Sequence, residues 1–557
     1  MTARRNVAEH LLDTLRRRGM TYAFGVHGAN IEDMYAAAAR VGIPTVVAKH
    51  EFAAGAMADG LARMSGSSTL VLTTSGGGAM NVVPALAESL DSRVPVLAVI
   101  GTPPTPLVTR GGFQDMLDPP DTIDLVGVLR AITGHVEVVT DATGLSSALK
   151  SVFAVLERDL PCALIIPKDV QSQQIPGDDC VDHEIPPDRA DHAVQSMLTT
   201  AADRLVDAAR SGEPICLWIG EEASRERMGT TLHRMASRLS ATVVAAPGGA
   251  DAVNPLTGHA GITGVMGHPS ARTALAAASI CVAVGCRMTL TDRGGLDDEL
   301  DHLEIVHIGR HSPRPPRGTT ILVDSLADAV RYLDDTLADA GLVPRTLPDV
   351  ETTYLEPPAR RNVALPSLRE IVDTISDVIP SGARIFADAG NVGAAAIHYL
   401  TPVADQRFTV ALGMGGMGYA IAAGIGVAVG LAERSVIIAG DGAFFMHGME
   451  FHTAVEHDAP VTLVILNNDA HGMCVTRESL YFPDTMGVNR FRPTDIAGGL
   501  AAMFAGLDVR HPCQLTELRA DCAELFSGTG PNAIVVDCDP DEVPPFLPFL
   551  AKGSPPT

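Results

Sequence analysis

Gly440-Asp441-Gly442, followed after 24 intervening residues by Asn467-Asn468, supplies two hard oxygen ligands at a spacing that suits a metal and phosphate site. Ser435 to Ala439 reads as a buried parallel strand that stops at Asp441, and Val461 to Leu466 as the next, stopping at Asn468. Gly448 to His457 has the length of a crossover helix, so both side chains should emerge at the carboxyl edge of one sheet, where such sheets bind ligands. Mg²⁺ takes near-octahedral oxygen coordination. One carboxylate, one amide oxygen and one main-chain carbonyl leave room for two diphosphate oxygens and a water. Gly440 and Gly442 let the backbone come close to those phosphates. A lone Gly-Asp-Gly is more often a tight turn. The paired asparagines, a helix and a strand further on, set this one apart.

Two other segments carry chemistry of their own. Lys49-His50-Glu51 follows a short β-rich run, Thr45 to Ala48, and sets one carboxylate ahead of a helix of small residues. Standing alone, Glu51 reads as a first-turn acid favoured by the helix dipole. Gly413-Met-Gly-Gly-Met-Gly-Tyr419 pairs glycines with Met417, whose polarizable thioether adapts to irregular gaps. The run from Ala411 to Ala432 has no charge and is long enough to span a membrane, yet seven of its residues are glycine. It reads instead as a buried helix, Ala420 to Leu431, packed closely under the site.

These residues need a large α/β scaffold. At 557 residues the chain has room for three or four domains, and strand-like runs alternate with helical ones throughout. Polar, proline-bearing linkers at Gln171 to Asp191 and Val343 to Pro366 divide it into three. The expected fold is α/β, three doubly wound domains with parallel sheets, spanning residues 1–182, 192–342 and 366–550. The first and third open alike, with an amphipathic helix (Val7 to Arg17; Leu368 to Ile379) leading to a strand. Lys plus Arg total 41 against 66 Asp plus Glu, a net charge of −25 that repels nucleic acid and anionic membranes. Nine scattered cysteines without a Cys-x-x-Cys pair indicate neither a disulfide framework nor zinc, and suit a reducing cytoplasm. The arginine-bearing start, Met1 to Met20, lacks the apolar core of a signal peptide. Lys552 to Thr557 reads as a frayed tail.

Taken together, the strand, Gly440-Asp441-Gly442, spacer, strand and Asn467-Asn468 resemble the diphosphate signature of thiamine diphosphate enzymes. The resemblance covers nearly the whole chain and lies nearest the acetolactate synthase and pyruvate decarboxylase branch. It implies thiamine diphosphate and Mg²⁺ as cofactors, with Asp441, Asn468 and the main chain of Ala470 as metal ligands. Asn391, Gly415, Met417, Gly440, Gly442, Ala443, Gly472 and Met473 would complete the cofactor site. Met417 would be the wedge that bends the cofactor, and the Gly415 carbonyl would accept from its exocyclic amine. Glu51 would be the activating glutamate that exchanges a proton with the aminopyrimidine ring. The first domain would then bind the pyrimidine and the third the diphosphate, with halves of each site from different subunits of a homodimer or homotetramer.

Within the branch, Thr73 to Asn81 and Gly111-Gly-Phe-Gln-Asp115 look most like acetolactate synthases, which would put Phe113 and Gln114 at the substrate. The tandem histidines of pyruvate decarboxylases are missing there. That implies a carboligase joining a small 2-oxo acid such as pyruvate to a second carbonyl compound. Two departures point elsewhere. His27, where those synthases have proline, resembles the thiamine-dependent cyclohexane-1,2-dione hydrolase, against the plainer reading of a loop histidine. Arg477 aligns with the tryptophan that selects 2-oxobutyrate, and a guanidinium there would suit an anionic acceptor. Gly285-Cys286-Arg287 is similar to a flavin-contacting Gly-x-Arg, which would place FAD in the central domain and leave a flavin-linked oxidase as a further alternative, although no Gly-x-Gly-x-x-Gly follows any of its strands.

Overall fold

The computed structural model describes residues 5–175, 192–253, 258–360, 362–403, 405–484 and 487–550. Residues 176–191 of the first expected linker, Cys180 and the terminal tail lie outside them. The second linker carries neither helix nor strand between 343 and 360.

Three parallel six-stranded sheets follow one another along the chain. The first contains β1 (Ala23–Gly25), β2 (Thr45–Val47), β3 (Thr69–Thr74), β4 (Val96–Thr102), β5 (His135–Val138) and β6 (Cys162–Pro167), in the order 2-1-3-4-6-5. The second has β7 (Ile215–Ile219), β8 (Thr242–Ala245), β9 (His259–Ile262), β10 (Ile280–Val284), β11 (Glu304–Gly309) and β12 (Thr319–Leu322), in the order 9-8-7-10-11-12. The third comprises β13 (Arg384–Ala387), β14 (Arg407–Val410), β15 (Ser435–Gly440), β16 (Val461–Asn467), β17 (Asp508–Arg510) and β18 (Asn532–Asp537), in the order 14-13-15-16-18-17. The first and third sheets thus share one topology although no sequence repeat is visible.

Interior strands such as β3, β4, β6 and β16 are buried along their whole length, as expected of parallel sheets covered on both faces. Proline delays two of the starts: β4 begins at Val96 rather than Val94, and β7 at Ile215 rather than Pro214, because Pro95 and Pro214 have no N–H to give the ladder. The crossover between β15 and β16 also departs from expectation. Its helix begins at Asp441 itself and runs to His447, then a tight turn at Gly448–Glu450 leads to a second helix, Phe451–Glu456. Asp441 is therefore the first residue of a helix as well as the residue that ends a strand.

The glycines of the apolar run have a packing role. The helix Tyr419–Leu431 lies against Glu51–Ser65 of the first domain so closely that a Cβ on Gly426 would stand 2.5 Å from the Met57 Cα, and one on Gly60 2.8 Å from the Ala423 carbonyl oxygen. Neither contact tolerates a side chain. Among the described residues no helix is long and apolar enough to cross a membrane.

The central and third domains meet across stacked imidazoles, His268 and His398, 4.5 Å between centroids. His268 Nδ1 accepts from Ile262 N (2.8 Å) and Nε2 faces the His398 carbonyl (2.8 Å). His398 Nε2 accepts from Leu355 N (3.0 Å), while Nδ1 faces the Met266 carbonyl (2.8 Å). Each ring is thus held as a neutral tautomer. Burial lowers His268 to about 4, and burial together with His268 lowers His398 to about 3. The unfolded chain binds these protons first, so this stabilisation is complete above the ordinary histidine range and is lost as pH falls through it. We expect His398→Gln to cost about 1–3 kcal/mol at pH 7. In urea titrations that difference from wild type should shrink steadily between pH 7 and pH 4.

Candidate active site

Three neighbouring strands of the third sheet, β13, β15 and β16, end at one edge, and a cavity of about 300 Å³ opens there. β15 and β16 pair with Gly440 opposite Leu466, so the chain leaves both strands at the same height. Asp441 follows one and Asn468 the other. Asp441, 1 % exposed, accepts from Ala470 N through Oδ2 (3.2 Å), and Asn468 Oδ1 accepts from the same N–H (3.1 Å). The three residues expected to supply metal ligands are therefore joined through the Ala470 N–H. Burial raises Asp441 to about 6 against the N–H groups of Asn468, Ala470 and Gly442, which favour its charge. A divalent cation beside it would favour the charged form further.

The loop that carries Ala470 is pinned from outside. Asp469 adopts φ +49°, its carbonyl accepts from Phe491 N (2.6 Å), and His471 N donates to the Asn489 carbonyl (2.9 Å).

Asn391, Met417, Gly440, Gly442, Ala443, Gly472 and Met473 line this cavity together with Asp441, Asn468 and Ala470. Gly415, with φ +63°, stands outside the lining. The glycines leave room that a methyl would fill: a Cβ on Gly442 would come within 2.6 Å of His471 Nδ1 and 3.1 Å of Met417 Cε, and one on Gly472 within 2.6 Å of Asn468 Nδ2 and 2.7 Å of Asn391 Nδ2. Two buried polar atoms at this edge, Asn391 Oδ1 and His471 Nδ1, have no protein partner. Hard oxygens, amide groups and close backbone fit a metal-bound diphosphate. Sequence reasoning missed His471, Cys474 and Cys538 in the lining. His471 and Cys474 follow Asn468 closely enough for spacing to have found them; Cys538 arrives from β18.

The first-domain residues form a separate group. Glu51 is the first residue of its helix, largely buried, and its Oε2 accepts from Asn81 Nδ2 (2.9 Å). A Cβ on Gly78 would lie 3.1 Å from Glu51 Oε1, and one on Gly76 2.7 Å from Gln114 Cγ, so Glu51 and Gln114 flank the same glycine turn. Gln114 adopts φ +62°. Phe113 is 80 % exposed. His27, exposed, packs against Tyr35 at 4.8 Å. Burial first, and then the Glu51 carboxylate, raise the Tyr35 phenol above the tyrosine range. None of these residues lines the cavity around Asp441, whose lining comes wholly from the third domain. Arg477 is exposed on the helix Gly472–Tyr481.

Three family models match in chain order: the N-terminal TPP binding domain of thiamine pyrophosphate enzymes over residues 5–123, their central domain over 198–333, and their C-terminal TPP binding domain over 388–536. The chain belongs to the thiamine pyrophosphate enzyme family. This thiamine pyrophosphate enzyme lies on the acetolactate synthase-like branch. It is 25 % identical to the probable acetolactate synthase large subunit of Methanocaldococcus jannaschii, over 97 % of this chain and 93 % of that protein. The acetolactate synthase large subunit of Haemophilus influenzae is 25 % identical over 98 % and 96 %, and isozyme 2 of Escherichia coli 24 % over 99 % and 98 %.

FAD does not fit the central domain of this thiamine pyrophosphate enzyme. The order 9-8-7-10-11-12 is that of dinucleotide-binding sheets, which hold their ligand where the order reverses, at the carboxyl ends of β7 and β10. Here that crevice holds two carboxylates. Glu222 Oε2 accepts from Arg310 N (2.8 Å) and Oε1 faces His311 Nδ1 (2.8 Å). Glu221 pairs with Arg225 (2.6 Å) and Arg63 (3.1 Å). Burial opposes their charge, but Arg225, Arg63 and Arg287 hold Glu221 down at about 2, and His311 with the Arg310 N–H keeps Glu222 low. Gly220 and Gly285 are pressed together, a Cβ on the first standing 2.2 Å from the carbonyl of the second. Arg287 turns to Asp91 (3.4 Å). A pyrophosphate would meet two ionised carboxylates there. The purified enzyme should be colourless, and FAD added to it should pass freely through a desalting column; flavin absorbance eluting with the protein would contradict this.

Proposed function

We propose that this enzyme decarboxylates a small 2-oxo acid such as pyruvate and transfers the acyl unit to a second carbonyl compound, as an acetolactate synthase-like carboligase. The observation that carries the reading is the convergence of Asp441, Asn468 and Ala470 inside a cavity also lined by Asn391, Met417 and Gly472. Asp441, Asn468 and the Ala470 main chain would hold Mg²⁺ and with it a diphosphate. Met417, packed over Gly442, would fill the angle between the two rings of the cofactor. Bound there, thiamine diphosphate supplies a carbon nucleophile and an electron sink for the departing carboxylate.

The chain supplies proton traffic and orientation. Asn81 occupies Glu51 Oε2, leaving Oε1 to hold or release a proton at a pyrimidine ring nitrogen. Gln114 has an amide NH₂ with two N–H donors to orient a substrate oxygen and a carbonyl acceptor beside it, and Phe113 an apolar ring to shield it from water. These groups stand in the first domain, outside the cavity of their own chain. A second copy would complete each site, its first domain facing the third domain of its partner. The exposed Phe445, Met446 and Met449, on the segment that starts at Asp441, suit such a contact. Hydrolytic opening of a 1,2-dione is the second reading, favoured by the His27 ring beside Tyr35, whose phenol feels the Glu51 carboxylate.

Labelled pyruvate with a panel of aldehydes, ketones and 2-oxo acids, followed by mass spectrometry, tests the proposal. Labelled CO₂ and a ligated product are expected, and Glu51→Gln should lower kcat by about 10²–10⁴-fold in a folded protein. A cyclic dione that opens while pyruvate releases no CO₂ would favour the second reading. Asp441→Ala should weaken Mg²⁺-dependent thiamine diphosphate binding by more than about tenfold, or about 1.4 kcal/mol, in calorimetry. Unchanged affinity would remove the metal site.

A further inference from the structure

The segment that carries Met417 is held at both ends by buried carboxylates from different domains. At its far end Asp388, just past β13 and 1 % exposed, accepts from Gly418 N and Ala420 N (2.9 Å each). At its near end the carboxylate is Glu88, 3 % exposed, on the helix Val83–Asp91 of the first domain. Glu88 Oε2 accepts from Met414 N (2.6 Å) and Oε1 more weakly from Gly413 N (3.4 Å). Between these anchors lie two glycines and Met417; a Cβ on Gly415 would touch nothing within 4 Å, and the Gly416 carbonyl accepts from Tyr419 N at 3.3 Å.

Glu88 is itself held. Its Oε1 takes Arg63 Nη2 (3.0 Å) and Ser92 Oγ (2.6 Å). Arg63, 5 % exposed, also reaches Asp59 through Nε (2.6 Å) and Glu221 of the central domain through Nη1 (3.1 Å). Asp59 takes Ser89 Oγ (2.7 Å) and the Tyr419 hydroxyl, and Tyr419 opens the helix that follows Met417. Arg225, paired with Glu221, donates to the carbonyls of Ser92 and Arg93. One buried network thus has members in all three domains.

Stability alone does not account for such a network, because well-packed apolar residues commonly hold an interface as strongly as buried ion pairs. A carboxylate does something an alkyl group cannot: it fixes backbone N–H groups in place. We propose that Glu88, oriented by Arg63, is a positioning residue that sets the Gly413–Met414 backbone and through it the place of Met417 over the cavity. The inference rests on the reading of that cavity as the thiamine diphosphate site.

Calorimetric titration of the full-length protein with Mg²⁺ and thiamine diphosphate tests both, for wild type, Glu88→Gln, Arg63→Lys and Ser92→Ala. Ser92 touches the same Glu88 oxygen but not the segment. Glu88→Gln should lose at least tenfold in cofactor affinity and lower kcat more than it changes KM. Its 413–418 peptide should also exchange amide hydrogens faster. Arg63→Lys, which keeps the charge but not the fork, should lose affinity to a smaller degree and decides the matter if Glu88→Gln does not fold. Ser92→Ala should lower the unfolding midpoint and leave affinity unchanged. Wild type without cofactor binding would sink the functional reading and the inference together. Wild-type binding with unchanged affinity in Glu88→Gln, or in Arg63→Lys, or with equal losses in Glu88→Gln and Ser92→Ala, would sink the inference alone and leave the network as domain cement.

Discussion

Parallel pairing of β15 with β16 is the constraint on which the candidate site depends. Two strands running the same way must leave the sheet at the same edge, and the register that puts Gly440 opposite Leu466 brings Asp441 and Asn468 out within one residue of each other. β13 pairs with β15 in the same sense, so Asp388 and Asn391 arrive at that edge as well. A shift of one residue in either pairing would turn these side chains to the other face and bury polar groups in the apolar layers that cover the sheet. Burial of the strands therefore fixes the register, and the register fixes the site.

Charge is buried where the domains join, and it acts as a locating device more than as adhesive. Arg63, Glu88 and Glu221 meet at the junction of all three domains, and Asp251 pairs with Arg407 between the central and third. Removing one partner of such a pair is costly because a charge is left without compensation, so only a narrow set of domain arrangements satisfies them all. The stacked His268 and His398 do the same with neutral rings on another part of the central–third contact. Apolar contacts, such as the glycine-rich seam between Tyr419–Leu431 and Glu51–Ser65, supply the area that these polar contacts orient.

The central domain separates topology from ligand. Its strand order is that of a dinucleotide fold, yet Glu221 and Glu222 occupy the crevice where the pyrophosphate of such a ligand would lie. The fold is retained as a frame between the other two domains while the site has been filled by the chain's own acids. Function resides in the residues at a site and not in the topology that presents it.

Strand runs such as Val461 to Leu466 and the spacing from Asp441 to Asn468 are local patterns, and from them the sequence by itself determined the α/β class, the three-sheet organisation and the residues that gather at the carboxyl edge of the third sheet. Hydrophobic runs and turn glycines carry that information within a few tens of residues. Other features were not legible. The Asp441 helix start depends on how the chain turns back over its sheet, and short strands such as β1 and β17 take their identity from neighbours. Glu88 sits in an ordinary amphipathic helix, and Glu221 in an ordinary first turn. Their roles appear only when Gly413, Met414 and Arg63 are brought to them from 25 to more than 300 residues away along the chain. Spacing encodes what one strand–helix–strand unit can hold; which carboxylates are buried, and against which distant N–H or guanidinium, is decided by the packing of three domains, because only that packing removes the water that would otherwise satisfy them.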